Sequence, residues 1–308
     1  MNKALIFGIG GFVGPYLARE LKEHGYEIYG ADTREAEDFL NFNGYLKCNI
    51  LDKENVKKVI EKVQPTHIIN LAAVSSVGQS WRIPDVTMQV NVNGTLNIFE
   101  SCLLLNIKPK ILLIGSSEEY IPSDHPMDEN TPINANNPYG ISKVAQEQFA
   151  KIYREKYNWD IFCVRAFNHI GIGQRPDFVI PSWCKQVANI EKGVQKPIIS
   201  VGNIDVSRDF TDVRDIVNGY RLVLESNDSS EIFNIGSGNC YSLKNLLSLI
   251  LSFTSKKIQV ITNKDNLRST DNKIICCDSH KIKKDLGWTI NFDVLDTIKK
   301  IYEWNLKR

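Results

Sequence analysis

Neither sign of charge predominates in this sequence: 37 Lys and Arg stand against 36 Asp and Glu, a formal net charge of +1. That balance removes any bulk electrostatic ground for binding nucleic acid or a membrane surface, and leaves room only for a small anion held locally. No apolar run approaches the length of a membrane span. The opening Ala4-Leu5-Ile6-Phe7 runs straight into glycines and is too short for the core of a signal peptide. A cytoplasmic location is the expectation. The seven cysteines are odd in number, irregularly spaced and mostly set in apolar runs, so they read as reduced, partly buried thiols. Adjacent Cys276-Cys277 lacks the two-residue gap of a metal clip and has no second pair, so no metal is expected. Internal repeats and low-complexity linkers are also missing. What remains, 308 residues with 43% hydrophobic and 24% charged, is ordinary globular composition with ample material for a core.

From residue 3 to about 165 short apolar runs alternate with helix-length amphipathic stretches. The runs are Ala4 to Phe7, Glu27 to Tyr29, Tyr45 to Cys48, His67 to Leu71, Ile111 to Ile114 and Ile161 to Val164. Helices are predicted at about 12–24, 53–63, 85–106 and 138–157. This alternation predicts a doubly wound parallel α/β sheet of the dinucleotide-binding (Rossmann) type over residues 1–166. Beyond 166 the pattern breaks into Pro-, Gly- and Asn-punctuated segments with short helices near 178–192 and 242–253. Residues 167–308 are therefore expected to form mainly a smaller substrate lobe, partly interleaved, with Phe233 to Ile235 returning to the sheet as a strand.

Gly8-Ile9-Gly10-Gly11-Phe12-Val13-Gly14 follows the first strand and opens the first helix. A plain glycine-rich turn is the bland alternative, but a strand before and a helix after favour a pyrophosphate site, with Gly8, Gly11 and Gly14 allowing the tight turn and the close approach. Asp32 ends the second strand, where a carboxylate suits the ribose hydroxyls of NAD; Arg34, two residues on, suits a 2′-phosphate, so NADH and NADPH both stay open. Tyr139 and Lys143 lie one helical turn apart and share a face. Such pairs are common on surfaces, but this one begins a helix after Asn137-Pro138, and Ser116-Ser117 ends a preceding strand, where open α/β sheets bind ligands. An ammonium beside a phenol favours the phenolate and tunes the tyrosine as an acid and base, while Ser116 bonds the substrate oxygen. Glu118, on the same loop, is either a second acid/base group or a solvated carboxylate. Arg208 and Arg268 are either surface charges or the forks that hold a nucleotide diphosphate. His169 reads as a satisfied histidine at a strand end.

Together with the glycine pattern, Asn70-Leu71-Ala72-Ala73, Asn91-Val92-Asn93-Gly94-Thr95, Gly115-Ser116-Ser117-Glu118-Glu119-Tyr120, Pro138-Tyr139-Gly140-Ile141-Ser142-Lys143 and Arg208-Asp209-Phe210-Thr211-Asp212-Val213 resemble the extended short-chain dehydrogenases, from residue 1 to about 305. Within that superfamily the chain is similar to the reductases of nucleotide-linked 4-keto-6-deoxyhexoses, through Ser117 to Tyr120, Asn168-His169-Ile170-Gly171 and Val201-Gly202-Asn203. The resemblance implies catalytic Ser116, Tyr139 and Lys143 with Glu118 beside them. It implies cofactor contacts from Gly8, Gly11, Gly14, Asp32, Arg34, Asn49, Ile50, Ala72, Asn91, Tyr139 and Lys143, and substrate contacts from Ser116, Asn168, Arg208 and Arg268. Three positions depart from the family: Asn49 replaces its usual Asp, Ile121 replaces the Gly after Tyr120, and Arg268 is followed by Ser-Thr-Asp where GDP-sugar members carry Pro-Ser-Glu. A dTDP sugar and a GDP sugar are both open as substrate.

The implied activity is a C4 reduction giving dTDP-fucose or GDP-rhamnose for bacterial polysaccharide synthesis. Two redox-neutral rivals share the fold, a 4,6-dehydratase using Glu118 as the C5 base and a 4-epimerase. A dinucleotide-binding sensor is a rival of another class, and would not need Ser116, Tyr139 and Lys143 together. The helices near 85–106 and 138–157 resemble those through which the family dimerises, which implies a homodimer.

Overall fold

A computed structural model describes residues 2–35, 42–227, 229, 232–263 and 272–308. The first half of the chain runs β1 (Lys3–Phe7), α1 (Gly14–Glu23), β2 (Glu27–Asp32), β3 (Gly44–Lys47), α2 (Lys53–Val63), β4 (His67–Asn70), α3 (Val77–Arg82), α4 (Pro84–Met88), α5 (Gly94–Leu104), β5 (Lys110–Ser116), α6 (Pro138–Tyr157) and β6 (Ile161–Ala166). The second half runs β7 (Asn168–Ile170), α7 (Val179–Glu191), β8 (Ile198–Val201), β9 (Ser207–Asp212), α8 (Val213–Glu225), β10 (Ile232–Ile235), β11 (Cys240–Ser242), α9 (Leu243–Leu251), β12 (Gln259–Thr262), β13 (Ile274–Ile275), α10 (His280–Leu286) and α11 (Val294–Leu306).

The main sheet has the order β10-β6-β5-β4-β1-β2-β3, with every neighbouring pair parallel. The fold is thus the doubly wound α/β architecture. Its direction of winding reverses between β1 and β4, which opens a crevice at their C-terminal ends. Helices cover both faces, so β4 and β6 are buried along their whole length, and the polar His67, Asn70 and Arg165 within them are buried with their apolar neighbours. On one face Leu17 and Leu21 of α1 pack with Ile216 and Tyr220 of α8. On the other, Val56 and Ile60 of α2 pack with Ile98 and Phe99 of α5 and Ala150 of α6.

Two features differ from the sequence expectation. The helix predicted at about 85–106 is interrupted: Gln89–Asn93, between α4 and α5, is a π-helical turn. That single wide turn carries Asn91 inward, the kind of local irregularity that recurs at functional sites. After residue 166, moreover, more of the chain returns to the sheet than one strand. Besides β10 beside β6, helix α8 lies on the sheet, and Trp288 after α10 is 1% exposed in the same core. The Trp288 indole donates to Asp215 O on α8 at 2.8 Å, and Asp215 in turn accepts the backbone N–H groups of Asn291 and Phe292. The remainder forms a smaller unit in which α7, α9 and α11 pack with β8 and β9 around Trp183, Leu247 and Ile298. Among the described residues, no helix is long and apolar enough to cross a membrane.

Trp288→Ala removes a fully buried ring and its hydrogen bond. It is expected to cost ~3–5 kcal/mol of stability in urea unfolding; a loss below about 1 kcal/mol would show that this segment does not hold α8 to the sheet.

Candidate active site

The glycine loop occupies the crevice at the switch point. Gly8 has φ +78°, and a Cβ there would lie 2.6 Å from the backbone nitrogen of Ala72, so the ends of β1 and β4 meet only because residue 8 is glycine. Helix α1 then starts with no side-chain cap and no acidic residue in its first turn. Its N-terminal N–H groups and dipole are left for an anion, an arrangement that fits a pyrophosphate. Asp32, at the end of β2, accepts from the N–H of Gly10 at 2.9 Å and from that of Arg34 at 3.1 Å, and Arg34 Nε lies 3.3 Å from the same carboxylate. Asp32 and Arg34 therefore form one polar edge, with the guanidinium largely exposed and the carboxylate buried. Asn49 is exposed and turns the chain by accepting from Leu51 N–H; Ile50 is buried against Gly94. Asn91 is fully buried, with its amide bonded to the backbone of Val74 and to the hydroxyl of Ser142. Its side chain fixes the loop after β4 to α6 instead of presenting a free amide.

Ser116, Tyr139 and Lys143 come together at the C-terminal edge of β5. Asn137 caps α6 by accepting from Gly140 N–H at 2.9 Å, and Pro138 fills the first helical position, where no N–H is needed. A Cβ on Gly140 would overlap the carbonyl oxygen of Glu118, so glycine lets the first turn of α6 press against the loop after β5. The consequence is that the Tyr139 phenol lies beside the Ser116 hydroxyl, which counts among the influences on its ionisation. Ser80, fully buried on α3, accepts the Tyr139 backbone N–H at 3.2 Å and holds the helix start from a third side. Lys143 Nζ donates to Ile114 O at 2.7 Å and Gln146 Oε1 at 3.0 Å, and sits 5.8 Å from the centre of the Tyr139 ring. Glu118 is half-buried and accepts from Asn137 Nδ2 at 2.8 Å.

The electrostatics differ from the expected phenolate. Burial pushes the Tyr139 phenol well above its ordinary value; the Ser116 hydroxyl opposes this, and the charges of Glu119 and Glu118 add to it. Burial also brings Lys143 down to about 8, against the pull of Glu119. Desolvation is the largest influence on both groups.

Of the substrate candidates, Asn168 on β7 pairs in register with Phe210 on β9, two residues from Arg208. The amide nitrogen of Asn168 is buried without a hydrogen-bond partner, a group that a ligand oxygen would satisfy. Arg208 is buried and donates to Ser207 O and Asn272 O. Arg268 lies outside the described residues. His169 is structural: its Nδ1 is 3.0 Å from Phe167 O, its ring stacks on Phe12, and burial lowers its pKa. Sequence reasoning missed Ser80, Gln146 and Glu119. Only Glu119 carried a signal, as a carboxylate inside the Ser116 to Tyr120 motif.

The family model described as GDP-mannose 4,6 dehydratase matches residues 5–301. The chain belongs to that family. It is 30% identical to the Homo sapiens GDP-mannose 4,6 dehydratase, over 96% of this chain and 89% of that protein. It is 28% identical to the GDP-6-deoxy-D-mannose reductase of Pseudomonas aeruginosa, over 77% of this chain and 79% of that protein. Its fold is that of the solved structure of RMD from Pseudomonas aeruginosa complexed with NADPH, with a TM-score of 0.87, 24% identity, and 100% and 99% of the two chains covered. Proteins similar to this chain thus carry names that describe different reactions.

If Gly140 sets the approach of α6, Gly140→Ala should shift Tyr139 by a fraction of an ångström to an ångström and lower kcat about 100-fold. Steady-state rates for the variant and the parent protein test this, and an unchanged kcat would contradict it.

Proposed function

We propose that this protein is a reductase that delivers hydride from NADH or NADPH to the C4 carbonyl of a nucleotide-linked 4-keto-6-deoxyhexose. The observation that carries the reading is the placement of Tyr139 and Lys143 on the first turns of α6 against the end of β5, with Lys143 Nζ bonded to Ile114 O and Ser116 closing that strand, at the sheet edge where α/β enzymes bind ligands. Similarity to a GDP-6-deoxy-D-mannose reductase, and to the fold of an enzyme solved with NADPH, supports it. Gly8, Gly11 and Gly14 would receive the pyrophosphate. Asp32 and Arg34 would face the adenosine ribose, Asn49 and Ile50 the adenine, and Ala72 and Asn91 would wall the crevice. When bound, the reduced nicotinamide supplies the hydride.

The remaining chemistry belongs to the protein. Tyr139 gives its proton to the C4 oxygen, and Ser116 donates to the same oxygen as negative charge develops there. Lys143 orients the tyrosine and the nicotinamide ribose. Asn168, Arg208 and Arg268 would hold the sugar nucleotide, with the main sheet as the dinucleotide domain and the smaller unit as the substrate lobe.

The second reading is redox-neutral dehydration. It is favoured by Glu118, half-buried and two residues past Ser116, where it would serve as the C5 base. We also place the enzyme in the cytoplasm as a homodimer associating through α5 and α6, whose Leu104 and Ile152 are 57% and 52% exposed.

Purified protein mixed with dTDP-4-keto-6-deoxyglucose, and separately with GDP-4-keto-6-deoxymannose, is expected to oxidise NADH or NADPH in step with one of the two ketones. If neither ketone consumes reduced cofactor, the redox-neutral reading takes its place. Tyr139→Phe should lower turnover by ~10²–10⁴-fold while still binding cofactor. Unchanged behaviour of that variant would leave the sensor reading standing.

A further inference from the structure

In the smaller unit, two cysteines for which the proposed chemistry has no use meet beside one strand. Cys240 opens β11 and Cys276 follows β13, and both strands pair with β9, Cys240 in register with Asp209 and Ile275 with Arg208. The Cys240 sulfur lies 3.5 Å from the carbonyl oxygen of Ile275, the residue before Cys276. The Cys276 sulfur lies 3.8 Å from the carbonyl oxygen of Gly238, two residues before Cys240. Each thiol thus reaches the backbone that carries the other. Cys240 is exposed, Cys276 is buried, and both are free thiols.

Asp209 holds the two segments in this position. It is fully buried, and its carboxylate accepts at Oδ1 from the Ser237 N–H at 2.9 Å and the Ser237 hydroxyl at 2.7 Å, and at Oδ2 from the Gly238 N–H at 2.8 Å and the Cys277 N–H at 3.1 Å. One side chain therefore ties the turn before Cys240 to the residue after Cys276. Gly238 has φ +80°, and a Cβ there would lie 3.6 Å from the Cys277 carbonyl oxygen, so the two segments are in van der Waals contact. The Cys277 thiol is turned elsewhere, under Gly236 and into the cluster of Tyr120, Met127 and Phe167. Because the backbone on both sides is already fixed, joining the sulfurs of Cys240 and Cys276 orders little more of the chain.

We propose that Cys240 and Cys276 form a dithiol site that low-molecular-weight disulfides convert to an intrachain disulfide, and that closing it weakens the hold of Arg208 on a nucleoside diphosphate. The second clause rests on the reading of Arg208 as a substrate contact; the first does not. Arg208 stands between the two segments, paired with Tyr241 on one side and Ile275 on the other, so drawing the sulfurs to bonding distance moves both neighbouring strands. In the exchange, Cys240, the exposed thiol, attacks one sulfur of the small disulfide and forms a mixed disulfide as one small thiol leaves. Cys276 then attacks the Cys240 sulfur, and the second small thiol leaves. The protein gives up two protons and two electrons, and the small disulfide takes up both pairs. The Cys276 thiol is held below its ordinary value, first by Cys240 beside it, which suits it to the second displacement. In a reducing compartment such a bond is transient and serves sensing, not structure.

The purified protein, freed of reductant, is incubated with oxidised glutathione, quenched with iodoacetamide and mapped by mass spectrometry. A Cys240–Cys276 cross-link that dithiothreitol reverses is expected, and Cys276→Ser should stop the reaction at glutathione on Cys240. Stable glutathione on Cys240 of the parent protein, a link from it to Cys277 or to a second molecule, or no reaction at Cys240 overturns the dithiol site. Calorimetry with GDP and with dTDP then compares the reduced and bridged forms. The bridged form should bind the preferred nucleotide about tenfold more weakly, the size of one misplaced charge-assisted hydrogen bond, while Cys240→Ser should bind it equally before and after glutathione. Equal affinity of the two forms overturns the coupling; so does an absence of binding to either form, which also removes the reading of Arg208. If the bridge forms and weakens nucleotide binding but the protein reduces neither ketone, the dithiol site stands and the reductase reading fails.

Discussion

The site depends on one close approach, the first turn of α6 against the carbonyl of Glu118. Residue 140 has no Cβ to keep the two apart, and from that contact follow the meeting of Tyr139 with Ser116 and the burial of Lys143. Three separate elements hold the approach. Asn137 caps the helix and also reaches Glu118, Ser80 on α3 takes the Tyr139 N–H, and Asn91 in the π turn ties Ser142 to the loop after β4. Each bond is worth only about 0.5–1.5 kcal/mol net. Their value lies in fixing the distance and direction of reacting groups, on which effective catalysis depends far more than on stability.

Behind this front lies a polar interior that an apolar core would not require. Arg165 links Glu147 to Tyr120, and Tyr120 donates to Asn234 on β10, so the returning strand is joined to the site by hydrogen bonds as well as by the sheet. Buried ion pairs of this kind repay their desolvation poorly as stability. Here one carboxylate, Glu147, is neutralised by arginine, and the other, Glu119, holds the Ser116 backbone N–H. The same low dielectric that raises Tyr139 and lowers Lys143 makes the balance of these few charges decisive.

Much of this was legible because it is local. The alternation of strands and helices, the glycine turn, and the Asn137-Pro138 start of a helix bearing Tyr139 and Lys143 are all written in consecutive residues. The parts that were not legible depend on distant partners. Helix α8 carries Gly219 at its middle, a residue costing roughly 1 kcal/mol in a helix, and the reason appears only in three dimensions, where Ile235 and the Trp288 indole crowd that position. The π turn at Gln89–Asn93 answers to Val74 and Ser142, far away in sequence. Burial pushes the Tyr139 phenol up, whereas the spacing to Lys143 alone pointed to the opposite direction of shift. Short strands such as β7 and β13, of three and two residues, exist only through pairing with β9 and leave no periodic trace.

The central claim is that Ser116 and Tyr139 present a carbonyl at C4 of a sugar to a reduced nicotinamide. Its most direct test is isotopic: the protein is given each nucleotide-linked 4-ketone with NADH or NADPH deuterated at the transferring carbon of the nicotinamide, and the product sugar is examined by NMR. The account predicts deuterium at C4 of a 6-deoxyhexose. Deuterium at any other carbon, or a sugar that takes up none while the cofactor stays reduced, would contradict it.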